Sequence, residues 1–165
     1  MLEEDFSDEA INYALSNAGI DWKQNALEKA KDYAKTPLVS RYFISGKLYQ
    51  DRFHPSEVKF ALDNVDVDWK KAAIEKAKDY AKNDHLSRSK TEFNLQNLDG
   101  FEPEEEVKYA VENSGINWKE VALERAKEHK QGLSDSYTAS ELREILKSSD
   151  KFGDEEIQYA LDNLQ

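Results

Sequence analysis

The sequence predicts an all-α fold, an elongated tandem array of small, helix-turn-helix-like repeats of about three helices and roughly 48 residues each. Three observations predict it. One phrase occurs three times, as "SNAGIDWKQNALEKAKDYAK", "DNVDVDWKKAAIEKAKDYAK" and "ENSGINWKEVALERAKEHKQ". Its tryptophans, Trp22, Trp69 and Trp118, lie 47 and 49 residues apart, and 15 of 23 positions agree between residues 13–35 and 60–82. A phenylalanine heads each unit (Phe6, Phe53, Phe101, Phe152), with Tyr13, Phe60, Tyr109 and Tyr159 seven or eight positions later. The period divides the chain into a partial copy over 1–36, copies over 37–83 and 84–132, and a partial copy over 133–165.

The helix after each phenylalanine is the middle one of the three in the unit. Ala10, Ile11, Ala14 and Leu15, and then Val58, Ala61 and Leu62, recur at helical spacing. With Ser7 as N-cap, Phe6 and Ile11 have the spacing of a hydrophobic staple, and Phe53 with Val58 and Phe152 with Ile157 repeat it. Pro55 falls at the first helical position, where a missing N–H costs nothing. "FEPEEEVKYA" carries one extra residue, so its staple must be altered. Gly19 and Gly115 can close this helix in the left-handed conformation, and Asp66 holds the same place at some conformational cost.

The tryptophan helix follows a short turn. Asp21, Asp68 and Asn117 are suited to cap it, and "DWKQ" and "NWKE" have the spacing of a capping box. Trp22, Ala26, Ala30 and Tyr33 form a stripe of one large, two small and one large side chain, and Trp69, Ala73, Ala77 and Tyr80 reproduce it. The alanines let a neighbouring helix approach closely while the tryptophans anchor the core. Pro37 and Gly132 should end these helices. In the third element, "SELREILK" reads as amphipathic, with Ser140 as cap and Leu142, Ile145 and Leu146 on one side; "SRYFISGKLYQDRF" and "SRSKTEFNLQNLDGF" are weaker, and Gly46 interrupts the former.

Composition limits the chemistry. Thirty-four acidic against 23 basic side chains give a formal charge of −11, which repels phosphate backbones and anionic lipid. The absence of cysteine excludes disulfides, thiolate metal sites and a thiol nucleophile. His54, His85 and His129 lack metal-ligand spacing, and no phosphate loop or nucleophile elbow occurs, so no enzyme, cofactor, metal or catalytic residue is expected. A DNA-reading helix-turn-helix would use Lys23, Lys29, Lys31 and Lys35, but Glu28 and Asp32 are interleaved with them, and no nucleic-acid partner is expected. What remains is the acidic surface, densest in "DGFEPEEE". Asp99, Glu102, Glu104, Glu105 and Glu106 are the candidate partner-binding residues, since repeated negative charge steers a basic protein onto a surface.

The phenylalanine with its acidic residues, the "FALDN" or "YAVEN" phrase, the short turn, "DW" or "NW" and the "ALEKAKDY" helix together resemble the repeat of the Ltp family of host cell surface-exposed lipoproteins, found in Gram-positive bacteria and their temperate phages. The similarity spans "FALDNVDVDWKKAAIEKAKDY", its two sister copies and the partial fourth. It implies a non-enzymatic ectodomain on the outer face of the cytoplasmic membrane, attached through an N-terminal lipid anchor that these 165 residues do not include. For phage-borne members it implies superinfection exclusion, the blocking of incoming phage DNA. A monomer that contacts a phage tape-measure or tail-tip protein is the expected mode, and a wall-associated spacer is the alternative.

Overall fold

The computed structural model describes residues 6–132 and 138–164, and among them the chain is helical with no strand. The helices are α1 (Asp8–Asn17), α2 (Trp22–Tyr33), α3 (Arg41–Gln50), α4 (Pro55–Asn64), α5 (Trp69–Asn83), α6 (Arg88–Asn97), α7 (Glu104–Asn113), α8 (Trp118–Gly132), α9 (Ala139–Glu144) and α10 (Asp154–Asn163). A π-helical turn over Ile145–Ser149 continues α9. Residues 133–137, which carry the "GLSDS" joint and the boundary expected at 132/133, lie outside the described residues.

Local chemistry sets the ends. Ser7, Asp21 and Asp68 accept backbone N–H groups as N-caps. His54 caps α4 ahead of Pro55, and Glu57 bonds back to the His54 N–H. Gly19 and Gly115 take φ of 65° and 70° and close α1 and α7.

Four expectations about helix ends and regularity are corrected. Asp66 is not left-handed, because Val65 ends α4 in an extended conformation. The box at "DWKQ" forms only by half, since the Gln24 side chain turns to Glu28 at 2.8 Å. Thr138, not Ser140, caps α9, because Thr138 and Glu141 complete a capping box there. "SRYFISGKLYQ" and "SRSKTEFNLQN" are regular helices, each capped by a buried serine, Ser40 or Ser87.

The helices pack in threes. α4 lies on α2, α7 on α5 and α10 on α8, and the intervening helix braces each pair. A period can be cut at any phase, and this grouping begins each unit at its tryptophan helix. The alanine stripe lets the paired helices meet: Ala26, Ala30, Ala73, Ala77, Ala122 and Ala126 are all fully buried. The extra residue of "FEPEEEV" precedes α7, in a turn whose Glu102–Pro103 peptide is cis, and Phe101 still reaches the core. One buried cluster runs from Ala26 to Val111, and a second surrounds α8, α9 and α10 and includes Ala81; Ile116 and Trp118 pack against both. The tryptophans therefore differ. Trp69 is 9% exposed between two units and Trp118 is half-buried, whereas Trp22, 38% exposed, is not the core anchor its sequence suggested.

Accessible surface reports the shape. The chain exposes 10889 Å², whereas a compact monomer of its mass, 19.0 kDa, exposes roughly 8400 Å². Units arranged in series and the little-packed α1 both add to that surface.

Candidate functional site

The joint between the first two units builds the site. Helix α3 begins where α6 ends: the Tyr42 N–H donates to the Asp99 carbonyl at 3.4 Å. Gly100, with φ 66°, allows the approach, since a Cβ there would stand 3.1 Å from the Tyr42 Cβ. The positive end of one helix dipole thus meets the negative end of the next. Asp99 is fixed from its own unit as well, because its carboxylate accepts the Tyr80 hydroxyl at 2.8 Å. Burial raises the Asp99 pKa although that bond opposes the rise, and burial with the adjacent carboxylate pushes the Tyr80 phenol far up.

Arg41, the first residue of α3, spans the joint. Its guanidinium lies 4.4 Å from the centre of the Trp69 ring and 3.9 Å from Glu106. Arg41 Nε and Glu106 Oε2 are buried without a hydrogen-bond partner. Beside Arg41 opens a cleft of about 730 Å³ lined by Arg41, Tyr49, Val58, Leu62, Glu102 and Glu104, among others. One wall comes from α3 and α4, and the other from the end of α6 and the start of α7. Pro55, Val58, Leu62 and Pro103 supply the apolar part of the lining, and the carboxylates of Asp63, Glu102 and Glu104 outnumber the bases Arg41 and Lys59.

The predicted acidic residues separate into roles here. Glu102 and Glu104 line the cleft, and Glu104 is paired with Lys108 at 2.8 Å, which holds its pKa below the ordinary carboxylate value. Glu106 stands against Arg41, Asp99 sits in the joint, and Glu105 is exposed. Sequence reasoning missed Arg41, whose only sequence signal is its place after a serine cap in the weakest predicted element.

The second joint repeats the first with other side chains. The Ser87 hydroxyl donates to the Asp150 carbonyl, so the start of α6 meets the end of the helix begun by α9. Asp150 corresponds to Asp99, and His129, at the position of Tyr33 and Tyr80, contacts its carboxylate at 2.6 Å. Arg125 and Lys90 add contacts at 3.2 and 3.5 Å. Burial opposes ionisation, but the His129 and Arg125 bonds prevail, and the Asp150 pKa falls below its ordinary value. The groove recurs on α6 and α7 at about 250 Å³, lined by Glu92, Phe93, Gln96, Glu104 and Val107. Phe93, which lines this groove, holds the position of Gly46 in α3, where a Cβ would meet nothing within 4 Å.

The remaining candidates are occupied by structure. His54 caps α4, His85 contacts Glu128 at 2.8 Å, and Lys31 and Lys35 pair with Glu28 and Asp32. Among the described residues no group of three His, Asp or Glu side chains is arranged to hold a metal ion, and no helix is long and apolar enough to cross a membrane.

Comparison with known proteins agrees with the repeat. A solved structure, that of Ltp, a superinfection exclusion protein from the Streptococcus thermophilus temperate phage TP-J34, is similar at 37% identity and a TM-score of 0.55; the match covers 60% of this chain and 98% of that one. No curated protein sequence matches. The model of the host cell surface-exposed lipoprotein family matches three times, over residues 21–65, 68–113 and 117–164, and these are the three packed units. With most of its length in those three matches, the chain belongs to the Ltp family of host cell surface-exposed lipoproteins.

Proposed function

We propose that this chain acts in superinfection exclusion at the outer face of the cytoplasmic membrane, by binding a protein of the incoming phage tail. The reading takes its role from the similar phage protein and its mode from the molecule. One observation carries the contact: the open cleft at the first joint, lined by the apolar side chains of Val58 and Leu62 and by the carboxylates of Glu102 and Glu104. Such a cleft suits a segment that presents apolar and cationic side chains together. A tape-measure or tail-tip protein ejected ahead of the DNA is the partner that would account for exclusion without catalysis. Glu102, Glu104, Glu105 and Glu106 remain the proposed contact residues, while Asp99, the other candidate, supports the joint.

Infection tests the proposal. The segment is displayed behind a lipoprotein leader in a Gram-positive host, and phage adsorption and DNA entry are scored separately across a phage panel. Normal adsorption with blocked entry is expected. Glu102→Lys with Glu104→Lys, or Gly46→Phe, which copies the narrow second groove, should restore entry at least tenfold. Unchanged entry with confirmed display would leave the spacer reading, and a block unaffected by all three substitutions would move the contact off this cleft.

A further inference from the structure

The first joint contains its own ligand. The Arg41 guanidinium, delivered by α3 of the first unit, lies 4.4 Å from the Trp69 ring centre and 3.9 Å from Glu106, both residues of the second unit. Repetition puts the same pair of groups in the third unit. Trp118 stands where Trp69 does, and Glu156, just before the buried Ile157, matches Glu106 before the buried Val107. The two line a cavity of about 450 Å³ together with Ile116, Lys119, Asp154 and Glu155.

The side chain that would fill this cavity goes elsewhere. Arg88, which follows the serine cap of α6, holds the position that Arg41 holds after the serine cap of α3. It turns to Glu92 at 3.1 Å and to Glu112 at 3.5 Å. The cause is local: Glu92 lies one turn along α6 from Arg88, whereas the matching place in α3 is Ser45, which carries no charge. The cation–ring contacts among the described residues leave Trp118 out. Exposure records the difference, since Trp69 is 9% exposed beneath Arg41 and Trp118 is only half-buried.

The other groups of the cavity favour the same cation. Lys119 approaches Glu155 at 3.6 Å and Lys147 reaches Asp154 at 2.8 Å, so two of the three carboxylates already face a base. Glu156 does not. Its Oε2 accepts the Gly153 N–H at 2.8 Å, and among the described residues its Oε1 accepts no hydrogen bond. A planar guanidinium stacks on an indole face and donates in its own plane to a carboxylate at once, a combination that a compact ammonium does not match.

We propose that the cavity between Trp118 and Glu156 is a receptor for an arginine side chain of a protein partner, held there as Arg41 is held in the first joint. The occupant comes from outside the chain because the arginine at the matching position is committed to Glu92 and Glu112. The assignment rests on the internal copy of the site and not on the exclusion reading.

N-acetyl-arginine methylamide, which mimics an arginine within a protein, serves as the probe, titrated into the full chain and read by amide and indole NMR resonances. A saturable shift centred on Ile116, Trp118 and Glu156 is expected, with the lysine analogue binding about threefold or more weakly. Trp118→Phe, which keeps an aromatic ring in the core, and Glu156→Gln, which keeps the cap on Gly153, should each weaken binding by about threefold or more. Absence of saturation, an equal response to the lysine analogue, or binding indifferent to both substitutions overturns the proposal. So does tighter binding of free arginine, which would make the ligand a small molecule, and so does binding that appears only in Arg88→Ala, which would make Arg88 the native occupant.

Discussion

Gly100 shows how much one residue governs. Its φ of 66° and its approach to Tyr42 make a side chain costly in two ways, so Gly100→Ala should destabilise by about 1–3 kcal/mol, read by chemical denaturation. Arg52 and Lys151 hold the same left-handed position in the other units, with φ of 68° and 62°. Lys151→Gly should be neutral or slightly stabilising in the same assay, since the strain it relieves offsets the added chain entropy. The paired aspartates separate by charge. Asp150, lowered by His129 and Arg125, contributes stability above about pH 4 that disappears as pH falls through its folded pKa. Asp99, raised by burial, behaves oppositely: its ionisation is a penalty that acid relieves. His129→Tyr should therefore raise the Asp150 pKa toward the behaviour of Asp99 and flatten the acid limb of the stability curve, as carboxyl NMR titration would show. The alignment of His129 with Tyr33 and Tyr80 was legible in the sequence. Its partner was not, because Asp150 lies 21 residues away and only the fold brings them together.

Helices announced themselves in proportion to their apolar periodicity. Those headed by phenylalanine or tryptophan were legible, with the caps Ser7, Asp21 and Asp68 but not His54, Pro103 or Gly153, because a staple or an alanine stripe repeats a local contact that sequence records directly. The third helices were weak in the pattern for a tertiary reason. α3 and α6 bury Ile44 with Leu48 and Thr91 with Leu95 respectively, and otherwise draw their order from buried serine caps and from abutting the neighbouring unit. Gly46 lies within α3 with open space where a Cβ would be, so Gly46→Ala should stabilise by about 1 kcal/mol, measurable as a higher thermal midpoint. The tryptophan reading failed at Trp22 for a reason of the same kind. A helix-start tryptophan is buried when another unit closes over it, as Arg41 and its surroundings close over Trp69.

Across the whole molecule the core is divided, with units one and two sharing one cluster and unit three holding the second. Ile116 and Trp118 bridge them, so stability should behave as unit terms plus interface terms. Trp118→Ala should uncouple the clusters and split a single calorimetric transition into two, with the α8 to α10 unit melting first. The array and its period were legible in the sequence, but the candidate cleft was not: it draws on α3, α4, α6 and α7, and its Arg41–Glu106 contact spans 65 positions. The joints that create it rest chiefly on a backbone carbonyl and one aspartate per unit, and Arg41 alone of the named joint side chains also lines the cleft. Direction and step length are thereby insulated from recognition. Descendants of such a chain can exchange Gly46 for Phe93-like residues, or Tyr49 for Gln96-like ones, and diversify what each groove accepts while the scaffold keeps its form.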